Sequence, residues 1–142
     1  MNTLLNHFNQ ALKRVGKICV LNNTTNITGV FKKIDDKFNS IDTKYFFAIN
    51  NLRQGDMIKY NDMNYLIITK SENVNGCYNT YTVRKCPYNI NFNINTSMNV
   101  IPGYIEIITL DTQTNQFMIL PKGIIIVTVP LNSITEQIKI NI

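Results

Sequence analysis

The chain has 142 residues and is 44% hydrophobic, the size of one domain with enough apolar material for a single core. Only 16% of its residues are charged, below the roughly 25% of an average soluble domain, so Asn, Thr, Ser and Gln carry much of the polar surface. The net charge of +5 is spread over runs no longer than two, such as Lys13-Arg14, Lys32-Lys33 and Arg84-Lys85, which excludes a polybasic tail.

Residues 2–15 repeat Leu4, Leu5, Phe8, Leu12 and Val15 at helical spacing, with Asn6, Gln10, Lys13 and Arg14 elsewhere. This predicts a short amphipathic helix, capped by Asn2 or Thr3, ended at Gly16 and packed on its own domain. From Lys17 onward Ile, Val, Tyr, Phe and Thr alternate with Asn, Asp, Gly and Pro, the pattern of successive strands and turns. Strands are predicted near 17–21, 26–34, 44–49, 56–60, 64–70, 77–85, 88–94, 104–110, 115–120, 123–129 and 136–141. In the strand after Asn75-Gly76, Thr80, Thr82 and Arg84 share one face, and Tyr81, Val83 and Lys85 the other.

Many short strands behind one helix predict a mainly β fold: a small antiparallel β-barrel with a short N-terminal α-helix and an extra C-terminal β-hairpin region. The expected organisation is a single domain over 1–142, with a helix at 1–16, a barrel meander at 17–94 and C-terminal strands at 95–142. The apolar run "GIIIVTV" calls for burial on both faces, as a central barrel strand or as an assembled interface.

The residues that could carry chemistry are few and dispersed. Cys19, Cys77 and Cys86 show no disulfide framework, which fits free thiols in a reducing compartment. The one histidine, His7, sits on the predicted helix, away from any nucleophile motif, and no metal-ligand spacing occurs. Asp35, Asp36, Asp42, Asp56, Asp62, Glu72, Glu106, Asp111 and Glu136 fall mostly at predicted turns, where Asp bonds its local backbone. No phosphate-cradling or dinucleotide glycine motif is present. The expectation is no catalytic, metal or cofactor residue, no secretory signal and no membrane span. Tyr78, Arg84, Lys85 and Tyr88 are the one combination of aromatic and basic side chains that suggests stacking against single-stranded nucleic acid, as on an OB-like barrel.

The stretch "LRQGDMIKYNDMNYLIITKSENVNGCYNTYTVRKCPYNINF" is similar to the central segment of small tailed-bacteriophage head-to-tail connector proteins of the stopper or head-closure type. The positions that carry the resemblance are Gly55, Asp56, Ile58, Tyr60, Tyr65, Leu66, Ile67, Arg84, Lys85 and Cys86, within residues 50–93. The resemblance implies a β-barrel subunit of a homo-oligomeric ring in the virion neck, between portal or adaptor proteins and tail proteins. It implies that the ring lines or closes the channel that DNA crosses, and it implies no catalytic residue. Residues 95–142 have no counterpart in the pattern; an extended hairpin at about 103–129 would reach a neighbouring subunit or the lumen.

Overall fold

The computed structural model describes residues 2–34, 42–108 and 124–138. Among the described residues, helix α1 spans Thr3–Val15, and nine strands follow: β1 Lys17–Leu21, β2 Thr25–Lys33, β3 Thr43–Ala48, β4 Met57–Tyr60, β5 Met63–Val74, β6 Tyr78–Cys86, β7 Tyr88–Ile94, β8 Ser97–Ile108 and β9 Ile124–Thr128. A 3₁₀ turn occupies Thr135–Gln137. The strand predicted at 115–120 lies outside the described residues, as do Asp35, Asp36, Asp111 and the side chain of Glu72. The strand predicted at 136–141 begins instead as this 3₁₀ turn, held by Asn132 Oδ1, which accepts from the backbone of Ile134 and Thr135 at 2.9 Å.

Strands β1 to β6 close into an antiparallel barrel in the order β1-β2-β3-β6-β5-β4, with β4 returning to β1. The mainly β architecture expected from the sequence is therefore present. Strand β7 leaves the barrel: it pairs with β8, and β8 with β9, in a separate three-stranded sheet. The barrel thus ends at Cys86, and one residue, Pro87, joins it to the second sheet.

Alternation sorts each barrel strand into an inner and an outer row. The inner row contributes Cys19, Ile27, Phe46, Ala48, Ile58, Tyr65, Ile67, Tyr81 and Val83 to one buried core, joined by Leu52 from the β3–β4 connection. Gly29 is obligatory here, because a Cβ on it would lie 2.2 Å from the Phe46 ring. Tyr81 closes one end of the barrel: its hydroxyl donates to Asn50 O and accepts from Leu52 N, both at 2.8 Å.

Turns explain much of the asparagine. Asn22-Asn23, Asn61-Asp62, Asn75-Gly76 and Asn95-Thr96 all hold positive φ at both central positions, as a tight hairpin requires. Asn tolerates this conformation better than most side chains do.

Helix α1 lies on the outer wall of the barrel. Asn2 caps it, accepting from Leu5 N at 3.4 Å, while its Nδ2 donates to Cys77 Sγ at 2.9 Å. Phe8, the buried residue of the stripe, stacks on Tyr78 with ring centroids 4.3 Å apart. Gly16 ends the helix because a Cβ there would collide with Leu12 O, not because of a left-handed backbone. No helix among the described residues is long and apolar enough to cross a membrane.

Candidate functional site

The positions that carried the resemblance divide among three structural tasks. Ile58, Tyr65 and Ile67 point into the barrel core, and Tyr60 packs against it from the barrel's edge. Gly55 and Asp56 form a knot. Gly55 N donates to Ile67 O and Ile67 N to Asp56 O, both at 2.9 Å, while Asp56 Oδ2 accepts from Arg53 N at 2.8 Å. The other oxygen of Asp56 accepts from Asn22 Nδ2 at 3.1 Å, and Asn22 Oδ1 accepts from Met57 N at 2.9 Å. Gly55 O also accepts from Leu131 N at 2.9 Å, so one turn ties together the β1–β2 hairpin, β5 and the C-terminal segment.

Of the remaining positions, Leu66, Arg84 and Cys86 build the seam between barrel and second sheet. Strands β4, β5 and β6 are buried on their outer face as well as their inner one, through Met57, Leu66 and Cys86 packed with Tyr104 of β8, and with Ile68 alongside. Arg84 lies over the Tyr104 ring, 4.1 Å from its centroid, and forms an ion pair with Glu106 two residues along β8. Both partners therefore fall on the barrel-facing side of the sheet. Lys85 takes no part in the seam; its N–H donates to Asp42 O at 2.8 Å, and it pairs across the ladder with Tyr65.

Burial holds the thiols of Cys19 and Cys86 up at about 11, only partly offset for Cys86 by Arg84 and a backbone hydrogen bond. A thiol held protonated inside a core is a packing group and a poor nucleophile. Desolvation likewise raises Tyr65 and Tyr81.

The four residues grouped for nucleic-acid stacking are not brought to one surface. Tyr78 is covered by Phe8, Arg84 is held by Glu106 and Tyr104, Lys85 falls on the opposite phase of β6 from Arg84, and exposed Tyr88 starts the second sheet. Sequence reading gave Tyr104, Asn22 and Leu131 no role in a site, and counted Glu106 only among the dispersed carboxylates. One signal was available for Glu106, since no charged residue separates it from Lys85.

Part of the surface left open to solvent is apolar. Among the described residues β9 lies at the end of the second sheet, so "GIIIVTV" is not the central barrel strand that was one of its two expected roles, and within the single chain Ile125, Ile126 and Val127 are all exposed. Met98 and Val100 are exposed on the β7–β8 hairpin, and Leu131 and Ile134 on the segment after β9.

The fold and its surfaces define a barrel protein with an appended sheet. Residues 1–85 match the model of the YomX N-terminal domain, and residues 88–142 that of the YomX C-terminal domain. The chain belongs to the YomX family, which is phage-derived. The division between the two models falls at Pro87, where the barrel ends and the second sheet begins. No curated protein and no solved structure matches the chain.

Proposed function

We propose that this protein is a structural, non-catalytic subunit of the phage neck. In this reading it forms a homo-oligomeric ring between the portal or adaptor side of the head and the tail, and the ring lines or closes the DNA channel. The observation that carries the reading is the exposed apolar surface of the C-terminal sheet, in a chain whose barrel already has a complete core of its own. Exposed apolar surface on a small domain calls for a partner. The phage-derived family and the resemblance of residues 50–93 to stopper-type connectors make the neighbours in a neck the partners that fit best.

Deleting the gene and imaging the resulting particles tests this. The expected outcome is DNA-filled heads and free tails, with density for the barrel found between portal and tail in intact virions by cryo-electron microscopy. Joined, infectious particles formed without the protein would overturn it.

A further inference from the structure

Two apolar surfaces of the second sheet differ in shape and face opposite ways. The first is a ridge. Ile105 of β8 and Val127 of β9 are direct cross-strand partners, and Ile125 lies two residues from Val127 on the same face. These side chains are 39%, 43% and 62% exposed. The second is a groove of about 320 Å³ where Met57, Val100, Pro102, Leu131 and Ile134 meet three uncharged asparagines, with Val100 61% and Leu131 62% exposed. Along β8 the register runs without a shift, so Val100 projects from the face opposite Ile105.

Both surfaces lie in uncharged stretches, since residues 87–105 and 124–135 contain no Asp, Glu, Lys or Arg. Neither lining includes a charged side chain: Glu106, on the face of β8 opposite Ile105, is held by Arg84, and Asp56, which accepts from Asn22 beside the groove, is tied into the turn at Gly55. A ridge and a groove without charge are compatible with each other and poorly suited to a charged partner. An isologous dimer built on one of them would leave the other in water. Head-to-tail contact covers both, and it is the kind of contact that closes into a ring.

We infer that copies of this chain associate head to tail, with the Ile105–Ile125–Val127 ridge of one copy seated in the Val100–Leu131 groove of the next. This rests on the reading of the protein as a ring subunit and names the surfaces that subunit uses.

The test uses two variants of the full chain, a ridge variant Ile125→Lys/Val127→Lys and a groove variant Val100→Lys/Leu131→Lys. Lysine at both sites introduces no new attraction between them. By light scattering and native mass spectrometry, the unmodified chain should form concentration-dependent oligomers, and each variant alone should remain monomeric. An equimolar mixture should form a one-to-one dimer that grows no further, because only one intact ridge and one intact groove remain to meet. Milder Ile125→Thr and Val100→Thr variants, with circular dichroism melts, separate lost contact from lost folding. An unmodified chain that stays monomeric at high concentration, a ridge variant that assembles normally, or a mixture that fails to pair would each overturn the inference. The deletion experiment is independent: blocked head-tail joining together with a failed mixing test would leave the neck role standing and discard these surfaces.

Discussion

Arg84, near the end of the last barrel strand, is shared between two residues of the second sheet: it pairs with the Glu106 carboxylate and covers the Tyr104 ring. The two interactions differ in what they contribute. The ion pair is partly solvated, and such pairs stabilise by about 0–1 kcal/mol. The guanidinium over an aromatic ring adds about 0.5–2 kcal/mol, and the stem of Arg84 helps to cover the seam. Arg84→Ala should therefore lower unfolding free energy more than Glu106→Ala in urea titrations. Arg84→Lys should restore the charge but little of the difference, since ammonium lacks the planar face. Equal losses for Arg84→Ala and Glu106→Ala would show that the carboxylate alone holds the seam.

Tyr81 gives a sharper case, because its hydroxyl is both donor and acceptor at the closed end of the barrel. Tyr81→Phe keeps the ring's packing and removes both bonds, leaving the buried Leu52 N–H without the hydroxyl it donates to and the Asn50 carbonyl with Asn79 in place of two donors. An unmade buried hydrogen bond costs about 1–3 kcal/mol, and that is the expected loss by chemical denaturation. The neighbouring Asn79, which donates to Asn50 O at 3.1 Å, supports the same loop. Mutating both residues should therefore cost less than the sum of the single changes.

Gly55 is constrained twice. Its φ is +93°, and a Cβ on it would stand 2.7 Å from Leu131 Cβ. Gly55→Ala should destabilise by more than the roughly 1 kcal/mol typical of a lost glycine conformation, because the alanine also pushes against the C-terminal segment. Leu131→Gly in the same chain should recover the steric part and none of the backbone part. Full recovery in a thermal melt would mean that the positive φ carries no strain.

The barrel was legible in the sequence because its strands alternate. Phe46, Ile58, Tyr65, Ile67, Tyr81 and Val83 occupy the inner phase in the structure as the two-residue period requires. The second sheet was not separable from it, since Pro87 breaks the pattern no more than an ordinary turn does, and a hairpin closed at Asn95-Thr96 reads the same whether its strands join the barrel or a separate sheet. The apolar run in β9 left a barrel strand and an assembled interface both open for a related reason, since it signals burial but not which molecule supplies it, and the structure removes the first. Arg84 was read on the face opposite Tyr81 and Val83, where it stands, yet its partner Glu106 is separated from it by an entire hairpin. Spacing alone could not join them.

The buried thiols make the protein's stability depend on alkaline pH, and the sign follows from where the proton sits. In the unfolded chain Cys19 and Cys86 ionise near the ordinary value of 9.0; in the folded protein burial holds both at about 11. Above pH 9 the unfolded state sheds protons that the folded state keeps, so unfolding becomes more favourable as pH rises. The stabilisation is complete below about 9 and is lost as pH climbs through about 11. Tyr65 and Tyr81, both raised by desolvation, act in the same direction at the upper end of this window. Urea titrations between pH 8 and 11 should show a falling midpoint, and the fall should be shallower in Cys19→Ala and Cys86→Ala chains, even though each begins from a lower stability. A slope unchanged by both substitutions would assign the alkaline loss to the tyrosines or to lysine deprotonation, and not to the thiols.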